Sequence, residues 1–160
     1  MEWTHFNRNI RIEAPISEVY RAWVSIDQLK VWFLKEVEIM NRTEGRICRK
    51  ADHLKWTWYN AEISTEIEVL KANEVNLLKF TFGHGMEVEI ELEELEGWTV
   101  LRLHQNKIPT EDEAKFNFYA GCKGGWTFWL TNLKCYLEYG NVLHDPNLGR
   151  REDLFDFVNT

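Results

Sequence analysis

The stretch that decides the fold is Gly124-Gly125-Trp126-Thr127-Phe128-Trp129-Leu130-Thr131-Asn132-Leu133-Lys134-Cys135-Tyr136-Leu137-Glu138-Tyr139-Gly140. It reads as one long helix, entered through glycines and closed by a glycine. At about 100° per residue, Trp126, Trp129, Leu130, Leu133 and Leu137 fall in a single stripe about 100° wide. A helix with that much aromatic surface needs a large apolar partner.

The partner is legible upstream, where the pattern has period two. Met86, Val88, Ile90 and Leu92 alternate with Glu87, Glu89, Glu91 and Glu93, which describes a strand with one buried and one wet face. Leu78, Phe80 and Phe82 fall on one face of the preceding strand, and Phe82-Gly83-His84-Gly85-Met86 joins the two as a tight hairpin. Further strands are expected over 46–50 after Gly45, over 54–60 with Trp56 and Trp58, and over the alternation of Ile63, Thr65, Ile67 and Val69. A last one follows Gly97, with Leu101 and Leu103. Short connections make this an antiparallel meander. Residues 106–121 read as a polar loop returning the chain to the helix, although Tyr119 and Cys122 extend the helical face and leave an earlier helical start open.

Ahead of the meander, Phe6, Ile10 and Ile12 mark a first strand within 3–14. Pro15 ends it, and two short helices follow over 17–24 and 27–33, the second carrying Leu29, Trp32 and Phe33. The expected fold class is α+β: a curved antiparallel sheet of about seven strands gripping one long C-terminal helix, with two short helices after the first strand. The 160 residues are expected to form a single domain, with 141–160 a C-terminal extension.

Composition narrows the function. The net charge of −7 argues against nucleic acid and anionic membrane surfaces as partners. No stretch approaches a membrane span, and no basic segment followed by an apolar run marks a secretory leader. The three cysteines, Cys48, Cys122 and Cys135, have no C-x-x-C spacing, so a reducing cytoplasm is the expected location and the sequon Asn41-Arg42-Thr43 reads as chance. Eight tryptophans are far from ordinary, because a buried indole N–H needs a partner.

Catalytic signals are missing from the pattern. The five histidines are scattered outside metal-binding spacings, and there is no nucleophile elbow, P-loop or dinucleotide fingerprint. His84 reads as a solvated turn residue, and strand parity puts His104 on the outer face. No catalytic residue, metal site or cofactor is assigned, and a non-enzymatic role is the preferred reading.

Two motifs carry a family resemblance. Ala14-Pro15-Ile16-Ser17-Glu18-Val19-Tyr20-Arg21-Ala22-Trp23, followed by Leu29-Lys30-Val31-Trp32-Phe33, resembles the N-terminal signature of START-like (helix-grip, SRPBCC) proteins. Within them the chain is most similar to homologues of the activator of the heat-shock chaperone ATPase, whose C-terminal signature is matched by Gly125-Trp126, Leu133-Lys134 and Tyr136-Leu137-Glu138-Tyr139-Gly140. The resemblance covers roughly residues 5–141 and implies a hollow between sheet and helix that often holds a hydrophobic molecule. The same fold hosts transport, cyclase and chaperone-regulating roles.

The residues placed to line such a hollow are Trp56, Trp58, Phe80, Phe82, Met86, Val88, Trp126, Leu130 and Leu133; they either border a cavity or fill the core. Arg8, Arg49, Asn60, Thr99 and Gln105 share parity with apolar neighbours, so each either points inward or reaches water at a strand end. On the back of the long helix, Phe128, Cys135 and Tyr139 form a second apolar line. It is expected to meet the tail residues Leu154, Phe155 and Phe157, or a second copy in a homodimer. The leading expectation is binding of a small hydrophobic molecule. A protein-interaction module acting on a chaperone is the alternative, and a cyclase- or hydrolase-type enzyme the third.

Overall fold

The computed structural model describes residues 2–59, 64–147 and 158. Its chain order is β1 (Phe6–Ile12), α1 (Ile16–Val24), α2 (Ile26–Trp32), β2 (Glu36–Ile39), β3 (His53–Thr57), β4 (Ser64–Ala72), β5 (Leu77–Phe82), β6 (Met86–Leu95), β7 (Trp98–Asn106), α3 (Asp112–Ala114), a π-helical segment (Lys115–Ala120) and α4 (Gly121–Tyr139). The seven strands form one sheet in the order β1-β7-β6-β5-β4-β3-β2, antiparallel throughout. The first strand thus closes against the last, and the two short helices bridge the sheet's opposite edges. A register shift in β4 between Val69 and Lys71 adds local bend. This is the expected α+β helix-grip fold.

Alternation sets the two faces. Met86, Val88, Ile90 and Leu92 of β6 are buried under the helices. Their glutamate neighbours stand outside in a cross-strand charge ladder, where Glu87 pairs with Lys79 at 2.9 Å and also with Lys107, and Glu93 pairs with Arg102. His104 lies on this outer face with its Nδ1 against Asn7 Oδ1 at 2.6 Å, as parity implies. In the β5–β6 hairpin Gly83, His84 and Gly85 all have positive φ (38°, 50° and 78°). His84 is exposed, and its ring rests 4.3 Å from that of Phe118.

Two segments depart from expectation. Residues 46–50 form no strand; the edge strand beside β3 is β2, earlier in the chain. Arg42 accounts for the difference. Its guanidinium bonds both carboxylate oxygens of Asp52, at 2.8 and 2.7 Å, and the Ile47 carbonyl at 2.7 Å, winding this segment into a loop. The loop is then pinned to the α1–α2 junction by Cys48 N–H donating to the Val24 carbonyl at 2.7 Å and Ile26 N–H to the Arg46 carbonyl at 2.9 Å. The second departure is at 106–121, read as a polar loop with an earlier helical start left open: helix begins at Asp112. At the far end, Gly140 closes α4 in the left-handed region (φ 70°), its N–H donating to the Tyr136 carbonyl at 2.9 Å.

Candidate functional site

Helix α4 lays Trp126, Trp129, Leu130 and Leu133 on the sheet's inner face, all buried. Most of the space beneath is filled. Trp32 is fully buried and its indole N–H donates to the Ala22 carbonyl at 3.0 Å. Trp23 packs edge-on to Trp32 at 4.9 Å, and Phe33 stacks on Trp32 at 4.9 Å. Trp56 meets Phe33 at 5.4 Å and Phe80 at 5.1 Å, both edge-to-face. Among the described residues, the N–H groups of Trp23 and Trp56 have no hydrogen-bond acceptor.

A hollow borders the cluster. It measures about 100 Å³, is partly open to solvent, and is lined by Phe33, Trp58, Phe82, Cys122, Gly125, Trp126 and Trp129. Each element contributes for a local reason. Phe33 is the residue at which α2 ends, Trp58 follows β3, and Phe82 is the last residue of β5 before the glycine turn. Cys122, Gly125, Trp126 and Trp129 share one face of α4 at helical spacing. A Cβ built on Gly125 would meet no heavy atom within 4 Å, so the glycine leaves open space in the wall.

Among the described residues the lining carries no charged side chain. Trp126 turns its one polar atom away from it: its indole N–H donates to Gln105 Oε1 at 2.7 Å. Gln105 is completely buried, and its amide nitrogen donates to the Met86 sulfur at 3.1 Å. Burial pushes the Cys122 thiol above its ordinary pKa, against a weaker pull from the Gln105 side chain, so the thiol is neutral at pH 7.

Of the nine residues read as cavity lining, Trp58, Phe82 and Trp126 border the hollow. Trp56, Phe80, Met86, Val88, Leu130 and Leu133 are buried in the core around it. Phe33, Cys122, Gly125 and Trp129 complete the wall. The helical spacing of the last three with Trp126 is a signal present in the sequence, whereas Phe33 reaches the site only through the tertiary position of α2.

The inward polar candidates divide. Gln105 and Thr99 are buried and satisfied by protein, Thr99 Oγ1 donating to the Ala14 carbonyl at 2.6 Å. Arg8 is half-buried under the start of α4, where its Nε donates to Thr127 Oγ1 at 2.8 Å. Arg49 is exposed, and Asn60 lies outside the described residues. On the back of α4, Phe128 and Cys135 are half-buried and Tyr139 is 73% exposed. Leu154, Phe155 and Phe157 lie outside the described residues.

A polar anchor at the flank of α4 had no signal in the sequence. Asn132 is fully buried; its amide nitrogen donates to the Trp32 carbonyl and to His144 Nδ1 at 3.1 Å, while its oxygen accepts from Leu143 N–H at 2.6 Å. The His144 ring packs 4.7 Å from Tyr59 and 5.5 Å from Trp129. Among the described residues no group of three or more His, Cys, Asp or Glu is placed to hold a metal, and no helix is long and apolar enough to cross a membrane.

Comparison with known proteins agrees with this architecture. A family model described as activator of Hsp90 ATPase homolog 1-like protein matches residues 13–138. The structure is similar to that of the protein SSP2350 from Staphylococcus saprophyticus, with a TM-score of 0.72 and 19% identity over 87% of this chain and 95% of that one. It is similar to the Aha1 dimer from Colwellia psychrerythraea, with a TM-score of 0.68 and 24% identity over 86% and 98% of the two chains. It also resembles DynU16, a protein in the dynemicin biosynthetic locus, with a TM-score of 0.70 and 19% identity over 87% of this chain and 49% of that one. Likeness at these identities is likeness of fold. No curated protein matches the sequence.

Proposed function

Because the chain belongs to the activator of Hsp90 ATPase homolog 1-like family, whose fold serves more than one role, we propose from its own geometry that it binds a small hydrophobic group between sheet and α4. One observation carries this reading: an open pocket whose wall, among the described residues, is uncharged and largely aromatic. A closed, empty void would cost packing energy without compensation. A pocket that ends in glycine instead of a side chain keeps room for something else.

The size restricts the guest. Drug-sized ligands occupy pockets of about 300–1,000 Å³, whereas a cavity of about 150 Å³ holds benzene. The hollow here, about 100 Å³ and open at its mouth, suits the end of a molecule. Burial contributes about 25 cal/mol per Å² of apolar surface removed from water. Set against the cost of association, one small group binds weakly unless the rest of its ligand also touches the protein.

Three tryptophans line the pocket, so their fluorescence reports occupancy directly. Titration with toluene and 1-hexanol is expected to give a saturable change. Gly125→Leu, which places a side chain in the hollow, is expected to abolish it while the protein stays folded. A linear, unsaturable response, or identical curves for the two proteins, would refute the reading.

A second reading, a surface that meets another protein, draws on Phe116 at 77% exposure in the π-helical segment and on Tyr139. Homodimerisation through Phe128, Cys135 and Tyr139 belongs to this reading, as does contact with a chaperone. Light scattering of wild type against Tyr139→Ser tests the first, and stimulation of chaperone ATPase by wild type against Phe116→Ser tests the second.

A further inference from the structure

We propose that the pocket is an aromatic cage for a quaternary ammonium group, the trimethylammonium head of a choline-type molecule. The inference rests on the reading that this pocket takes a ligand, and it names the ligand's chemistry.

The wall itself points to a cation. Five of its seven residues are aromatic: Phe33, Trp58, Phe82, Trp126 and Trp129. A cation within about 6 Å of a ring centroid is held by the ring's quadrupole, most strongly by tryptophan. These rings border a hollow of about 100 Å³, so a charge held in it lies beside several of them.

The arrangement suits a globular guest better than a flat one. A planar ligand wants two parallel walls with a slot between them. The parallel-leaning pair, Phe33 and Trp126, is inclined by 30° with centroids 5.5 Å apart, which leaves no slot. The other contacts are edge-to-face: 90° between Phe33 and Trp58, 87° between Trp58 and Phe82, and 78° between Phe33 and Trp129. A trimethylammonium head, shaped like neopentane, suits a hollow without parallel walls.

Hydrogen-bonding capacity selects the type of cation. A primary ammonium brings N–H donors that would lose water, and among the described residues the lining offers no carboxylate or other charged group to replace it. A quaternary ammonium has no N–H to satisfy. The chain's net charge of −7 also raises the local concentration of cations.

The test compares choline and tetramethylammonium with 3,3-dimethylbutan-1-ol, the neutral isostere of choline, and with ethanolamine, by tryptophan fluorescence and by calorimetry. Choline is expected to bind at least about fivefold more tightly than the isostere, with ethanolamine weaker still. Trp58 and Phe82 are half-buried, so Trp58→Leu and Phe82→Leu are the variants of choice, with circular dichroism as the check on folding. Each is expected to weaken choline about five- to tenfold and leave the isostere within about twofold. An isostere that binds as well as choline would overturn the cation assignment and leave the apolar pocket standing. Absence of binding by both would overturn the two readings together. Flotation with phosphatidylcholine but not phosphatidylglycerol vesicles, lost in Trp58→Leu, identifies the head as a lipid's. Choline binding without flotation identifies it as a free solute's.

Discussion

Trp126 and Gln105 form a buried side-chain hydrogen bond that ties α4 directly to the sheet beside the pocket: the indole N–H donates to the amide oxygen at 2.7 Å, and both side chains are buried. The bond fixes the rotamer of a pocket wall and removes that wall's only donor from the pocket. Gln105→Leu leaves the indole N–H buried and unpaired, which costs about 1–3 kcal/mol. A lowered midpoint in urea is expected, with a changed Trp126 fluorescence. An unaltered midpoint would mean the bond contributes nothing to stability.

Asn132 should be more sensitive still, because a single amide satisfies Trp32, His144 and Leu143. Asn132→Ala is expected to cost about 2–4 kcal/mol. It is also expected to free the segment after Gly140, so hydrogen exchange at Leu143 should rise well above global unfolding rates. Protection at Leu143 equal to wild type would contradict the anchoring role.

Acid should loosen the same flank. Burial holds the His144 pKa below its ordinary 6.5, with Asp145 opposing weakly. The unfolded chain therefore binds more protons as pH falls through 6.5. The contribution of neutral His144 is complete above that value and is lost on acidification toward the folded pKa. Melting temperature is expected to fall between about pH 7.5 and about pH 5.5, and to fall less in His144→Gln. Equal slopes for the two proteins would assign the effect elsewhere.

The Arg42–Asp52 pair governs a lower pH window. Hydrogen bonds from Arg42, chiefly, and from Arg49 N–H hold the Asp52 carboxyl below its ordinary 3.8. Its stabilisation is present above 3.8 and lost as pH drops through the folded value. Arg42→Ala leaves a carboxylate with 5% side-chain exposure unpaired and unwinds the loop it bridges, for an expected loss of about 2–4 kcal/mol at pH 7. Retention of wild-type stability would remove the pair from the account of that loop.

Gly125 gives a prediction of opposite sign. The residue lies inside α4, and an added methyl meets no atom within 4 Å. Gly125→Ala is expected to stabilise by about 0.5–1 kcal/mol through helix propensity, and to weaken binding in the pocket that it narrows. Greater stability with unchanged binding would show that Gly125 does not limit the guest.

Much of the fold was legible because each element carries its own period. The β6 alternation of Met86, Val88, Ile90 and Leu92 against glutamates, the α4 stripe and the Gly140 cap all need only local geometry, and all are found. The misplaced strand at 46–50 shows where this fails. The Arg42–Asp52 bond spans ten residues of polar loop, and no periodicity announces it. The loop reading of 106–121 failed for a related reason, since polar Asp112 and Glu113 read as loop until Ala114 and Tyr119 find burial.

The sequence by itself therefore determined which faces are apolar, the order of the elements and the grip of a sheet on one helix, because hydrophobic burial acts on every turn and every second residue. Only the tertiary structure decided how much space is left inside. Trp23, Trp32, Phe33, Trp56 and Phe80 come from four separate elements and their edges, and their interlocking angles fill the volume that spacing alone left open. Packing is a sum over neighbours distant in sequence, so it took the assembled core to reduce a broad hollow to a small corner of five rings beneath Trp126.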